Sequence, residues 1–185
     1  MKTIYFILFV CGIFATSLTA STEFKETWEQ ARHLYYSSLQ QEAHLNKALS
    51  LFETLSEKDD KLGVAQTYIG SLTAVKAQYT PWPHKKLQYA NKGLDIMDAG
   101  LQKNPDDLEA LFIHGTTSYY LPFFFNRRDD ANRSFKRILE LLPQRLEQQD
   151  AEMAKNILNF ILENADIDET ERQTALELKS QLEPS

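Results

Sequence analysis

The feature that most constrains this chain is a spaced quartet. It consists of a small residue, a bulky one four positions later, a third residue three after that, and a helix stop five further on. It occurs as Ala48/Phe52/Leu55/Asp60, as Gly93/Met97/Gly100/Pro105 and as Ala131/Phe135/Ile138/Pro143. Offsets of four and three put the first three members on one face of a helix. The small residue admits a neighbouring helix at close range, and the bulky one fills the gap beside it. Proline then ends the segment, because it lacks the N–H and clashes with the preceding turn. The copies start 45 and then 38 residues apart, near the repeat lengths of helical-hairpin arrays.

The other apolar residues keep the same period. Phe24, Trp28, Ala31, Tyr35 and Leu39 mark an amphipathic helix. Leu45, Ala48, Leu49, Phe52 and Leu55 mark a second, closed by the polar run 56–60, with Gln40–Glu42 between them as turn or helix. Leu62, Ala65, Ile69, Leu72 and Ala77 predict a third, with Gly70 and Ala74 as close-contact sites. It stops before Tyr79-Thr80-Pro81-Trp82-Pro83, where two prolines forbid continuation. Pro83 suits the first position of a fourth helix, which carries Leu87, Ala90, Leu94, Met97 and Leu101 and ends at Lys103-Asn104-Pro105. A fifth follows Pro105-Asp106-Asp107 and runs to Pro122. Asp129 or Asp130 is expected to N-cap the sixth, which ends at Leu142-Pro143. Ala154, Ile157, Leu158, Ile161 and Leu162 give the seventh. Asp168 with Glu171 reads as a capping box for the eighth, whose buried edge is Ala175, Leu178 and Leu182. No strand alternation appears, so the expected fold is all-α, built of antiparallel helical hairpins.

The first twenty residues read differently. Met1-Lys2 is a short basic start, Ile4 to Phe14 is an almost unbroken apolar run, and residues 15–20 are mostly small. These are the three parts of a secretory signal, with cleavage after Ala20 preferred over Ser17. The apolar run is shorter than the roughly 20 residues of a membrane span. Cys11, the only cysteine, lies inside it behind Val10, which disfavours lipidation. The expected mature chain therefore has no thiol and no disulfide, and its stability must come from helix packing. Without Lys2, the 20 basic residues become 19 against 26 acidic ones, a net charge of −7. Nucleic-acid phosphates demand a basic face, so that class of partner is not expected. The expected location is the periplasm or the exterior.

These residues resemble the tetratricopeptide repeat (TPR) family. There the second helix of each hairpin carries small, aromatic, small and then proline at the offsets of Ala131/Phe135/Ile138/Pro143 and Gly93/Met97/Gly100/Pro105. The family's leucine-glycine step in the first helix is matched by Ile69-Gly70 and less well by His114-Gly115, and Asn104-Pro105-Asp106-Asp107 looks like an inter-repeat segment. The likeness covers residues 24–143 well, as three hairpins, and 146–182 loosely, as a fourth, capping pair. The hairpins exceed the usual 34 residues, and the extra length is expected between the two helices of each. Leu121 to Arg128 also resembles a segment of uncharacterised exported bacterial TPR-like proteins. The resemblance implies a short right-handed solenoid whose concave groove binds peptides or protein segments.

Residues suited to catalysis are sparse. There is no Gly-rich phosphate loop, no HExxH and no nucleophile elbow. His33, His44, His84 and His114 are scattered without metal-ligand spacing, and His114, beside Gly115, reads as a packing residue. The acidic pairs at 59–60, 106–107 and 129–130 sit at helix starts, where the dipole favours carboxylates. No catalytic residue, metal or cofactor is expected. Two linkers combine aromatics with cations, the residue types enriched at interface hot spots. They give Trp82 and His84 in one, and Tyr120, Phe123, Phe124, Phe125, Arg127 and Arg128 in the other, as a candidate partner-binding edge. The alternative is that the phenylalanines plug a gap while the arginines pair with Asp129 and Asp130. Tyr35, Gln66, Thr73 and Thr117 are the expected groove residues. The chain is thus expected to be an exported non-enzymatic scaffold for a peptide or envelope protein. Docking on a membrane surface would be a minor use of the aromatic edge. A small-solute-binding subunit of an envelope transporter is the second reading, by analogy with the TPR-like T components of TRAP transporters.

Overall fold

A computed structural model describes residues 22–57 and 62–183. The signal-like segment and Asp60 of the first quartet lie outside the described residues. Helix α1 covers 22–38. It is followed by α2 (Glu42–Ser56), α3 (Leu62–Tyr79), α4 (Pro83–Lys103), α5 (Leu108–Tyr120), α6 (Arg128–Leu141), α7 (Ala151–Asn164) and α8 (Glu169–Gln181). Short 3₁₀ turns occur at Phe123–Phe125, Leu142–Gln144 and Leu146–Gln148. No strand occurs among the described residues, so the fold is all-α.

The helix ends follow local chemistry. Pro83 opens α4 at its first turn, where its missing N–H has no helical partner anyway. The Asp107 side chain accepts from Ala110 N, and Asp150 accepts from Met153 N, so both N-cap their helices. Asp168 and Glu171 form the reciprocal capping box. The sixth helix departs from expectation, because neither Asp129 nor Asp130 caps it. The boundary residue is Arg127, with no side-chain cap, and both aspartates fall in the first turn. Asp130 is drawn instead into ion pairs with Arg127 and Arg133.

The quartets lie where the helices meet. Phe52, Met97, Phe135 and Ile138 have no solvent exposure. The closest approach is between α3 and α4, which run antiparallel. A Cβ on Gly70 would sit 2.4 Å from Met97 N, and one on Gly93 would sit 2.4 Å from Ala74 N. One on Gly63 would meet Asn104 and Gly100 at the other end of the pair. Backbone therefore rests on backbone, and Asn104 Oδ1 accepts from Gly63 N at 2.9 Å to tie off the end. The extra length of this hairpin lies in the helices themselves, since residues 80–82 suffice to join them. In the next pair the linker expected to be long is long, and it holds the Phe123–Phe125 turn.

Two cores share α5. Ala110 and Ile113 join the cluster of α1, α2 and α3 around Trp28, Phe52, Tyr68 and Leu72. Leu108 and Leu111 join the cluster of α6, α7 and α8 around Phe135, Ile157 and Leu158. The Phe52 and Tyr68 rings stack at 4.3 Å, with the Trp28 ring edge-on to Phe52 at 5.7 Å. Phe160 of α7 reaches Phe112, Tyr119 and Phe135 at 5.5–5.7 Å. Helix α5 thus fixes how α7 sits relative to α1, and that spacing shapes the site.

Candidate functional site

Side chains from α1, α3, α4, α5 and α7 line two lobes that meet at Tyr36. The first lobe has a volume of about 730 Å³ and is overwhelmingly apolar. Val75, Ala90, Phe112, Thr116 and Phe160 line its walls, and Phe124 and Phe125 close it from the 3₁₀ turn. On its floor Tyr35 Oη lies 2.9 Å from Ser71 Oγ, which lies 2.7 Å from Thr117 Oγ1. Burial pushes the Tyr35 phenol above its usual pKa, although the two hydroxyls work against it, so the floor stays uncharged. Around the mouth stand exposed Tyr36, Leu39, Leu87, Tyr120 (72% exposed) and Phe124 (60%). Isolated surface hydrophobics are ordinary, but a contiguous rim around an apolar cavity marks a binding site.

The second lobe, about 720 Å³, is polar. Glu29, Arg32 and His33 from α1 face Glu152, Met153 and Asn156 from α7, across Asp107 and Glu109 at the start of α5. Its structural anchor is Glu109, a buried carboxylate that accepts from Arg32 Nε and Nη2 at 2.6 and 2.7 Å. Tyr68 Oη donates to the same carboxylate at 2.6 Å. Paired forks of this kind are the strongest protein ion-pair geometry. The hydrogen bond from Arg32 to Glu109 raises the already high guanidinium pKa. Burial, reinforced by the Glu109 charge, raises the Tyr68 phenol well above its usual range. Arg32 therefore stays charged and Tyr68 neutral at neutral pH.

A third cluster ties α4, α5 and α6 together on another face. Asp98 receives both arms of Arg127 and lies 3.0 Å from His114 Nε2, while His114 Nδ1 is 2.7 Å from Ser134 Oγ. The carboxylate only accepts, so Nε2 donates to it, and Nδ1 pairs with the serine hydroxyl. Arg127 Nε is 2.8 Å from Asp130 without the alignment of a hydrogen bond. Burial opposes ionisation of Asp98, but the hydrogen bonds from His114 and Arg127 prevail and hold its pKa below the usual value. The Ser134 hydroxyl is buried and directed at the ring, and the Asp98 charge is taken up by Arg127. The cluster links three helices by mutual neutralisation.

The sequence-predicted residues are distributed unevenly over these features. Tyr35 and Thr117 line the apolar lobe, at its floor rather than its mouth, and Tyr120, Phe124 and Phe125 line it too. Gln66 and Thr73 do not. Thr73 is buried with its hydroxyl turned back to Ile69 O, and Gln66 Oε1 is buried without a partner. Both occupy the flank of α3 turned away from the groove, which helical spacing alone did not distinguish from the other. Trp82 (57% exposed) and His84 stand outside both lobes with their rings 6.4 Å apart. Phe123 is 94% exposed and also lies outside, so the phenylalanine run is not a buried plug. Arg127 belongs to the Asp98 cluster, and Arg128 lies over the Tyr119 ring at 4.0 Å. Phe160, Leu39 and Leu87 were missed. Phe160 stands beside the Ala154/Ile157/Leu158/Ile161 stripe, and a bulky aromatic off the buried stripe was the available signal.

Among the described residues, no group of three or more His, Cys, Asp or Glu side chains is arranged to hold a metal ion, and no helix is long and apolar enough to cross a membrane. Compared with protein-family models, with curated proteins and with solved structures, the chain matches none.

Proposed function

We propose that this protein is an exported, non-enzymatic, TPR-like scaffold that holds a peptide, or an extended segment of an envelope protein, in the groove. The observation that carries the reading is the apolar lobe with its rim of Tyr36, Leu39, Leu87, Tyr120 and Phe124. A soluble domain leaves such a rim uncovered where a partner supplies the cover. The packing of helices mainly on their chain neighbours supports the repeat-like reading. The signal-like residues 1–20 support export. In this reading Tyr120, Phe124 and Phe125 contact the partner, with Tyr35 and Thr117 beneath it.

The volume and apolar lining of the first lobe also suit a small solute, since drug-sized ligands occupy cavities of roughly 300–1,000 Å³. A photo-crosslinking residue placed at Leu39 or Phe124 in cells, with exposed Leu176 on α8 as the off-groove control, separates the two. Discrete protein adducts from the groove positions but not from Leu176 support the scaffold. Absence of protein adducts, with a small molecule recovered by extracting the purified protein, supports the solute carrier and overturns the scaffold.

A further inference from the structure

The two lobes differ in chemistry and lie end to end, and that asymmetry specifies an occupant. The polar lobe carries five carboxylates, on Glu29, Asp107, Glu109, Asp150 and Glu152, against the two guanidiniums of Arg32 and Arg145. Arg32 is already shared between Glu29 and Glu109. Arg145 is turned to the Asp106 carbonyl at 2.6 Å. Glu152 is exposed and has no cationic partner among the described residues. An uncompensated negative lobe favours a cation entering it.

The distance between the lobes follows from α1, which supplies residues to both. Glu29 lines the polar lobe and Leu39 the apolar one. From Glu29 to the end of α1 at residue 38 is about 14 Å at roughly 1.5 Å per residue, with Leu39 one residue beyond. An extended peptide rises about 3.3 Å per residue, so about five residues bridge the groove. The hydroxyls of Tyr35, Ser71 and Thr117 on the apolar floor are committed to one another, which leaves that lobe to side chains without polar demands.

Resting on the scaffold reading above, we infer that the groove selects an extended peptide with large apolar or aromatic side chains at one end and Lys or Arg about five residues away. The apolar end seats among Phe112, Thr116 and Phe160, and the cation seats beside Asp150 and Glu152. Tyr36, at the junction, lies beneath the middle of the peptide. The arrangement has a direction, so composition alone does not satisfy it.

The test uses the full mature chain with Nile red, a neutral dye, as the reporter of the apolar lobe. Three competitors are added: a peptide with Phe and Leu at one end and two Lys at the other, its two-Glu counterpart, and a scramble with Lys between the apolar residues. The expected result is dye displacement by the ordered Lys peptide alone. The Asp150→Asn, Glu152→Gln variant should weaken that displacement about two- to thirtyfold, from two exposed charge contacts. Asparagine caps a helix as well as aspartate, so this variant keeps the fold. Equal displacement by the Lys and Glu peptides would overturn the charge assignment and leave the scaffold reading standing. Equal displacement by the scramble would overturn the direction in the same way. Displacement by no peptide at all would overturn the inference and the scaffold reading together.

Discussion

Gly93→Ala gives the most direct access to the packing on which the groove depends. In an exposed helix this change stabilises by about 1 kcal/mol, because alanine loses less conformational entropy. At this position the new Cβ would lie 2.4 Å from Ala74 N, 2.6 Å from Gly70 O and 2.8 Å from Ala74 Cα, where ordinary contact begins at 3.4 Å. All three atoms belong to the α3 backbone, so no rotamer change relieves the clash. The helices must part by roughly 1 Å, and a gap of that size forfeits a quarter to a half of the dispersion attraction across it. Overpacking costs about 1–3 kcal/mol, and contact with unyielding backbone puts this site at the upper end. With the propensity gain set against it, the net destabilisation is about 2 kcal/mol. For a domain of this size that lowers Tm by about 4–8 °C. Thermal and urea unfolding followed by circular dichroism measure it, with Asn91→Ala on the exposed face of the same helix as the propensity control. The double variant Gly70→Ala, Gly93→Ala should lose less than the sum, because helices already parted meet the second methyl at lower cost. A Gly93→Ala protein as stable as the parent, or more so, would refute the backbone contact.

Three further outcomes follow from the same structure. Glu109→Ala strands Arg32 and Tyr68, and should destabilise by about 2–3 kcal/mol, less than a fully buried pair because Arg32 keeps some solvent; urea unfolding checks it. Asp98 has a folded pKa held below the usual 3.8, so its contribution is complete above that pH and is lost as pH falls through the folded value. Asp98→Asn should therefore lower stability at neutral pH and flatten its decline below about pH 3.8, as read in unfolding curves over an acid series. The paired change Tyr120→Ala, Phe124→Ala removes exposed rings, so stability should stay within about 0.5 kcal/mol while Nile red binding falls.

Most of the secondary structure was legible because its signals are local. Helical period depends on residues three and four apart, Pro83 and Pro105 act on their own turns, and Asp168 reaches only as far as Glu171. The close-contact role of Gly70, Ala74 and Gly93 was also readable, since a small residue on a buried face has few other uses. The cap of α6 was misjudged for a tertiary reason: Asp130 answers to Arg127, whose own side chain is fixed by Asp98 on α4. The candidate site divided along the same line. Tyr120, Phe124 and Phe125 fell within the groove because the end of α5 and the turn after it carry them to its mouth, and Tyr35 and Thr117 because both meet Ser71 on its floor. Gln66 and Thr73 fell outside because the angle of α3 about its own axis is set by its glycine contacts with α4. The Glu109 to Arg32 pairing crosses 77 residues and left no trace in either segment. By itself, then, the sequence determined that the described residues fold as helices and where most of those helices stop, since each is decided within a few turns; α3 and α5 are buried on more faces than their apolar stripes mark. Only the tertiary structure decided that Phe160 and Tyr36 face one cavity and that Arg127 turns away from it, because rotation and spacing of helices depend on contacts far apart in the chain.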